Sequence, residues 1–117
     1  KQWLHMSVNK VILIGNVGSD PKMHYPDAGN AFAFFSLATN ETAGGMERTE
    51  WHRIVMCDRN AEYADRYIRK GTKLFLEGRL RTRTYTDKMK IQRTVTEIYV
   101  DNFEILGRVT ESRNISN

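Results

Sequence analysis

The residues of this chain best equipped for chemistry are arginines and aromatic rings set at the spacing of an extended strand. Arg79, Arg81 and Arg83 recur at every second position, and Tyr85 follows in the same phase. Alternate side chains of a strand share a face, so this run projects three guanidiniums and one ring to one side. Between Arg79 and Arg93 stand six basic residues, with Lys88, Lys90 and Arg93 completing the set, against the single acid Asp87. That segment carries more positive charge than the whole chain, whose 18 basic and 14 acidic residues leave +4. A second face of this kind falls on Arg48–Cys57. With Ile54 and Met56 directed inward, Trp51, Arg53, Val55 and Cys57 point outward. A third falls on Ala31–Thr39, where Ala33, Phe35 and Leu37 form a core face and Phe32, Phe34 and Ser36 point out. Guanidiniums suit phosphates, and every nucleobase has a π-face that an exposed ring can stack on without reading sequence. The charge pattern alone also fits a solvated hairpin that protects a sheet edge from aggregation, and the outward rings alone also fit a subunit contact.

The elements that position these residues follow from periodicity. Val8–Val17 is apolar and β-branched and ends at Gly18-Ser19-Asp20-Pro21, a strand closed by a turn. Lys22–Tyr25 continues the pairing after a bend, and residues 26–30 have turn chemistry. Ala31–Thr39 is a second strand, Thr42–Glu47 with Gly44-Gly45 a flexible loop, and Arg48–Cys57 a third strand. Asn60–Lys70 is the one helix, capped by Asp58 or Asn60, striped by Ala61, Ala64, Tyr67 and Ile68, and stopped by Gly71. Thr72–Leu80, with Leu74 and Leu76 on one face, and Thr94–Leu106, with Ile98 and Val100 on opposite faces, are the fourth and fifth strands. Helices and strands do not alternate, which excludes a doubly wound parallel sheet. The expected fold is all-β with one helix: a five-stranded OB-fold Greek-key barrel with the helix between strands 3 and 4. The 117 residues suit one domain, expected over residues 6–107, with residues 1–5 before Met6 a cloning remainder and residues 108–117 a frayed end.

Several function classes drop out. The longest apolar runs, Val11–Ile14 and Ala31–Phe35, fall far short of the ~20 residues of a membrane span. No secretory or transit segment is evident, so an intracellular, cytoplasmic setting is expected. Cys57 is the only cysteine, which forbids an internal disulfide or a thiolate metal cage and leaves it a buried or half-buried structural thiol. His5, His24 and His52 are scattered, and Glu47 with Glu50 or Asp101 with Glu104 read as solvated positions rather than metal ligands. No phosphate-binding G-x-x-x-x-G-K-[ST] loop occurs. The expectation is a protein that is not an enzyme and needs no cofactor or metal.

Four stretches, in order from about Ser7 to Gly107, resemble the bacterial-type single-stranded DNA-binding proteins and their mitochondrial relatives. These are Asn9–Gly18 followed by Asp20-Pro21; Phe35-Ser36-Leu37-Ala38-Thr39; Thr49-Glu50-Trp51-His52-Arg53-Ile54-Val55; and Tyr67–Gly71 with Leu76–Arg83. The resemblance implies an OB-fold protomer, usually a homotetramer, that wraps single-stranded DNA with little sequence preference during replication, repair and recombination on the bacterial nucleoid. Carried over by position, Trp51 is a stacking tryptophan, Tyr85 stands where the family often has another, and Lys10 and Arg53 lie on the DNA-facing side. His52 falls at a subunit contact. Arg79, Arg81, Arg83 and Lys88 join the candidate phosphate ligands through the basic hairpin. Two places where the family often carries rings hold Ala43 and Cys57, so stacking is expected to be weaker or redistributed, with Phe34 as the compensating ring. Relatives usually end in a linker and a short acidic tip that recruits replication and repair proteins, and neither precedes Asn117. The alternatives are a primosome-type OB-fold accessory protein working through protein contacts, and an OB module for protein or carbohydrate.

Overall fold

A computed structural model describes residues 6–108. The expectation for residues 1–5, and that for the frayed end beyond Arg108, lie outside the described residues. The elements are β1 (Val11–Val17), β2 (Lys22–His24), β3 (Phe32–Ala43), β4 (Met46–Cys57), α1 (Asp58–Tyr67), β5 (Lys73–Thr86) and β6 (Gln92–Gly107). The sheet runs β1-β5-β6-β4-β3-β2, and β1 also pairs with β3, which closes the five long strands into a barrel. The short β2 continues past β1 along the same edge of β3. Counting β2, the helix stands between the fourth and fifth strands; among the five barrel strands it holds the expected place between third and fourth.

The barrel interior holds Val17, Ala33, Phe35, Leu37, Ile54, Met56, Leu74, Leu76 and Ile98, and Ala61, Ala64 and Ile68 of the helical segment close one end. The helix begins where β4 ends. Its cap is Cys57, without a side-chain capping bond, rather than Asp58 or Asn60. The Asp58 amide instead donates to the Ala31 carbonyl at 2.7 Å, so a strand contact replaces the side-chain cap. The helix stops at Tyr67, because Ile68 turns to extended backbone as it enters the core. Tyr67 is not part of the buried stripe: it leans out onto Tyr63, ring centroids 4.6 Å apart, and Tyr63 meets Phe103 edge-on.

Two departures from the expected strand pattern shape the binding face. Thr42–Glu47 is not a loose loop, since pairing continues to Ala43 opposite Met46 and only Gly44 and Gly45 turn, at φ +60° and +79°. Two successive positive φ values are what a two-residue hairpin with the sheet's own twist requires. On β6 the register passes from Asn102 opposite Glu77 to Val100 opposite Gly78, leaving Asp101 as a bulge residue. Ile98 and Val100 do not face opposite ways: standing two apart, both turn to the core, and beyond the bulge the phase is exchanged, so that Phe103 and Ile105 are the core residues. No helix among the described residues is long and apolar enough to cross a membrane.

Candidate nucleic-acid interface

Strand register assembles the outer face. Across β3 and β4, Ser36 lies opposite Arg53, Ala38 opposite Trp51, and Phe34 opposite Val55. On the far edge of β3, Lys22 of β2 lies opposite Phe34. On the other side, β4 meets β6 in parallel at Val55 and Tyr99, and Tyr99 faces Arg79 of β5. Paired residues point the same way, so Lys22, Phe34, Ser36, Trp51, Arg53, Tyr99 and the arginine row share one surface.

A groove of about 870 Å³ opens on this surface, lined among others by Gly18, Lys22, Phe34, Ser36, Trp51, Arg53, Arg83 and Glu97. Trp51 is 60% exposed. Its ring leans over Gly18, where a Cβ would collide with the ring and stand 2.8 Å from Ser36 Oγ. Glycine therefore makes the seat on which the indole rests. Phe34 is half-buried and stacks on Phe32, centroids 6.3 Å apart and planes 21° from parallel. Val55, expected to face outward, does lie on this side but is fully buried, because Phe34 and Tyr99 flank it on both neighbouring strands.

The arginine row is real, but partly occupied. Arg79 Nη2 donates to Asp101 at 3.0 Å, and Arg83 donates through Nε and Nη2 to both oxygens of Glu97 at 3.0 and 3.1 Å. That hydrogen bonding pushes the Arg83 guanidinium above its ordinary pKa. Arg81 lies 4.7 Å over the Tyr99 ring, and Arg83 is 5.4 Å from the Tyr85 ring centre. Lys10 is 3.7 Å from Glu77. Asp87 latches the hairpin tip: its carboxylate accepts from the amides of Met89 at 2.9 Å and Ile91 at 3.0 Å and from Arg93 Nε at 2.8 Å. These bonds, the Ile91 amide first, hold its carboxyl below the usual aspartate value. Lys88 is exposed on that tip.

The structure thus gathers Trp51, Phe34, Arg53 and Arg83 in one groove. Arg79, Arg81 and Tyr85 lie on the same face along the hairpin, and Lys10 beside β1, all outside the groove lining. His52 also borders the groove, but it alternates with Trp51 and Arg53, lying opposite the core residue Leu37 with Nε2 3.0 Å from Thr39 Oγ1. Ala43 is exposed at the β3–β4 turn, and Cys57 is half-buried at the end of β4. Burial, then the charge of Asp58, raises the Cys57 thiol pKa, while Arg81 offsets part of the shift. Gly18, Lys22 and Glu97 line the groove and were missed from sequence. Lys22 could have been found from the phase of its strand; Glu97 could not, because its meaning depends on which strand faces it.

The single-strand binding protein family model matches residues 8–106. A single-stranded DNA-binding protein of Bacteroides thetaiotaomicron is 56% identical over 109 residues, covering 87% of this chain and 68% of that protein. One from Neisseria meningitidis is 44% identical over 112 residues, covering 92% of this chain and 64% of that protein. The chain thus spans about two thirds of the length of these relatives. Among solved structures, the Plasmodium falciparum SSB complex with ssDNA superposes with a TM-score of 0.79 at 34% identity, covering 90% of this chain and 100% of that one. With nearly all of the barrel matched in sequence and in shape, the chain belongs to the single-strand binding protein family.

Proposed function

We propose that the chain binds single-stranded DNA without strong sequence preference and protects it during replication, repair and recombination. The observation that carries this reading is the groove in which exposed Trp51 and half-buried Phe34 stand beside Arg53, Lys22 and Arg83. Bases stack on the two rings, at ~1–3 kcal/mol for a good stack. Arg53, Arg79, Arg81, Arg83, Lys10 and Lys88 hold phosphates along the face and the hairpin, and Tyr85 offers a further ring beyond the groove. The relatives' names and the DNA in the Plasmodium complex agree with this reading. As a binding module the chain carries out no reaction, and a bacterial coat for single strands belongs in the cytoplasm on the nucleoid.

The working unit is a homo-oligomer, taken as a tetramer. Ile12 and Ile14 on the outer side of β1 are 59% and 53% exposed, with Phe75 opposite Ile14. Such an apolar strip favours self-association. His52 is assigned to a subunit contact, and several barrels on one strand multiply a modest affinity through effective concentration.

The test is fluorescence titration with an unstructured oligo-dT at low and high salt, in a Trp3→Phe variant so that Trp51 alone reports. Strong quenching, with binding that weakens as salt rises, is expected. No quenching and no binding at low salt would overturn the reading.

A further inference from the structure

Glu97 is the one buried carboxylate facing the groove among the described residues, 4% exposed, and it engages an arginine that is itself half exposed. Register explains the pairing. Glu97 lies opposite Arg81, but Arg81 is drawn over the Tyr99 ring, and Arg83, opposite Val95, reaches back diagonally to take both carboxylate oxygens. The contact is side-on: it uses the Nε–H and one Nη2–H. A guanidinium has five N–H donors in a rigid plane, so three remain, and the end-on edge formed by Nη1 and Nη2 keeps a donor on each nitrogen. That edge matches a phosphate's spacing of oxygens. An arginine not held in this way occupies many rotamers, which a phosphate contact must freeze.

We propose that Glu97 is a positioning residue for DNA-backbone capture, clamping Arg83 by its side-on edge so that the end-on edge is offered to a phosphate of the strand stacked on Trp51 and Phe34. The inference rests on the single-stranded DNA reading and adds a role for an acid within a cationic face. Glu97's charge opposes the phosphate, so its contribution is geometric, and charge and geometry are separable by substitution. Glu97→Asp keeps the charge and withdraws the carboxylate by one methylene.

Oligo-dT affinity is expected to fall about two- to tenfold in Glu97→Asp, the scale of losing one pre-ordered long side chain. It is expected to fall no further when Glu97→Asp is added to Arg83→Gln, because the clamp then has nothing to hold. Native affinity in Glu97→Asp, or an equal loss in both backgrounds, overturns the inference while leaving DNA binding intact. Failure of the unsubstituted chain to bind oligo-dT overturns the DNA reading and the inference together. Should Glu97 variants not fold, side-chain NMR of the unsubstituted chain decides. An Arg83 Nε–H as ordered as the backbone without DNA supports the clamp, and a freely reorienting one refutes it.

Discussion

Gly18→Ala should separate binding from stability. A Cβ at Gly18 would overlap the outer edge of the Trp51 ring, lie 3.0 Å from its Cη2 and stand 2.8 Å from Ser36 Oγ. Both neighbours are ends of side chains, and Trp51 is mostly exposed, so the clash is relieved when the indole swings away. Gly18 does not have the positive φ that penalises a side chain, and Gly→Ala at a compatible backbone position restricts the unfolded chain by ~0.4–1 kcal/mol in favour of folding. The net change in stability should therefore stay within about 1 kcal/mol. Binding should suffer more: a full stack is worth ~1–3 kcal/mol, and a displaced ring forfeits part of it, an expected loss of about three- to tenfold. Gly78→Ala is the counterpart. Its Cβ would run into the Tyr99 carbonyl oxygen, with the carbonyl carbon at 2.9 Å and Val100 Cα at 3.1 Å. Backbone cannot swing aside, so overpacking of ~1–3 kcal/mol should lower Tm by on the order of 10 °C while the folded fraction binds normally. The assay pairs thermal melts at fixed protein concentration with oligo-dT quenching, both in the Trp3→Phe background. Native affinity and native quenching in Gly18→Ala would refute the idea that the glycine seat sets the stacking geometry.

Lys22→Ala should lower the slope of log affinity against log salt by about 0.7 for each barrel engaged, as measured by titration at several salt concentrations. Phe34→Ala should cost at least about fivefold in oligo-dT affinity if its ring offsets the absent rings at Ala43 and Cys57; an unchanged affinity removes that compensation. Because the folded-state pKa of Asp87 is depressed, its hairpin latch contributes fully above the unfolded value of about 3.9 and is lost as pH falls through the lower folded value. The Met89 and Ile91 amide shifts should accordingly be flat from pH 5 to 8 and move only in more acid solution, and a midpoint at or above 3.9 would contradict the latch. Ile14→Asp should dissociate the assembly in light-scattering chromatography without unfolding the barrel, since that side chain is more than half exposed in the protomer.

The fold was legible because its strands obey a period of two almost without exception. Alternation assigned Ala33, Phe35, Leu37, Ile54, Met56, Leu74 and Leu76 to the interior, and all seven are buried. It failed where facing strands decide. Ile98 and Val100 stand two apart and share the core face, as strand alternation requires and against the expectation, while the bulge at Asp101, invisible in β6 alone, shifts the core phase to Phe103 and Ile105. Val55 alternates outward, yet its neighbours Phe34 and Tyr99 come from other strands and cover it. The helix start failed for the same reason, because a bond to Ala31 replaces the side-chain cap that local sequence suggests. Within the site, Phe34 follows from the phase of β3 and Trp51 and Arg53 from that of β4, whereas the seat at Gly18 and the pairing of Glu97 with Arg83 are cross-strand facts.

Those pairings change what the cationic face means. Counted along the sequence, the hairpin is an open row of charge; in the barrel, Arg79, Arg83, Arg93 and Lys10 each have a carboxylate within ion-pair distance. The pairs other than Arg83–Glu97, whose carboxylate is buried, are solvent-accessible and contribute little to stability, so their consequence lies in binding. An arginine already neutralised by the protein displaces fewer counterions when it meets a phosphate, although it keeps its hydrogen-bond donors. Among the described basic residues singled out on this face, Lys22, Arg53, Arg81, Lys88 and Lys90 carry no such partner and dominate the salt dependence, which bounds the slope near about 3.5 per barrel. On the proposed reading the paired arginines act instead as fixed donors, and their contribution should depend less on salt. A single strand is then gripped by stacking and oriented hydrogen bonds as well as by charge, so binding should weaken with salt along a slope no steeper than about 3.5 per barrel, and a slope that counts every basic residue of the face would refute the pairing argument.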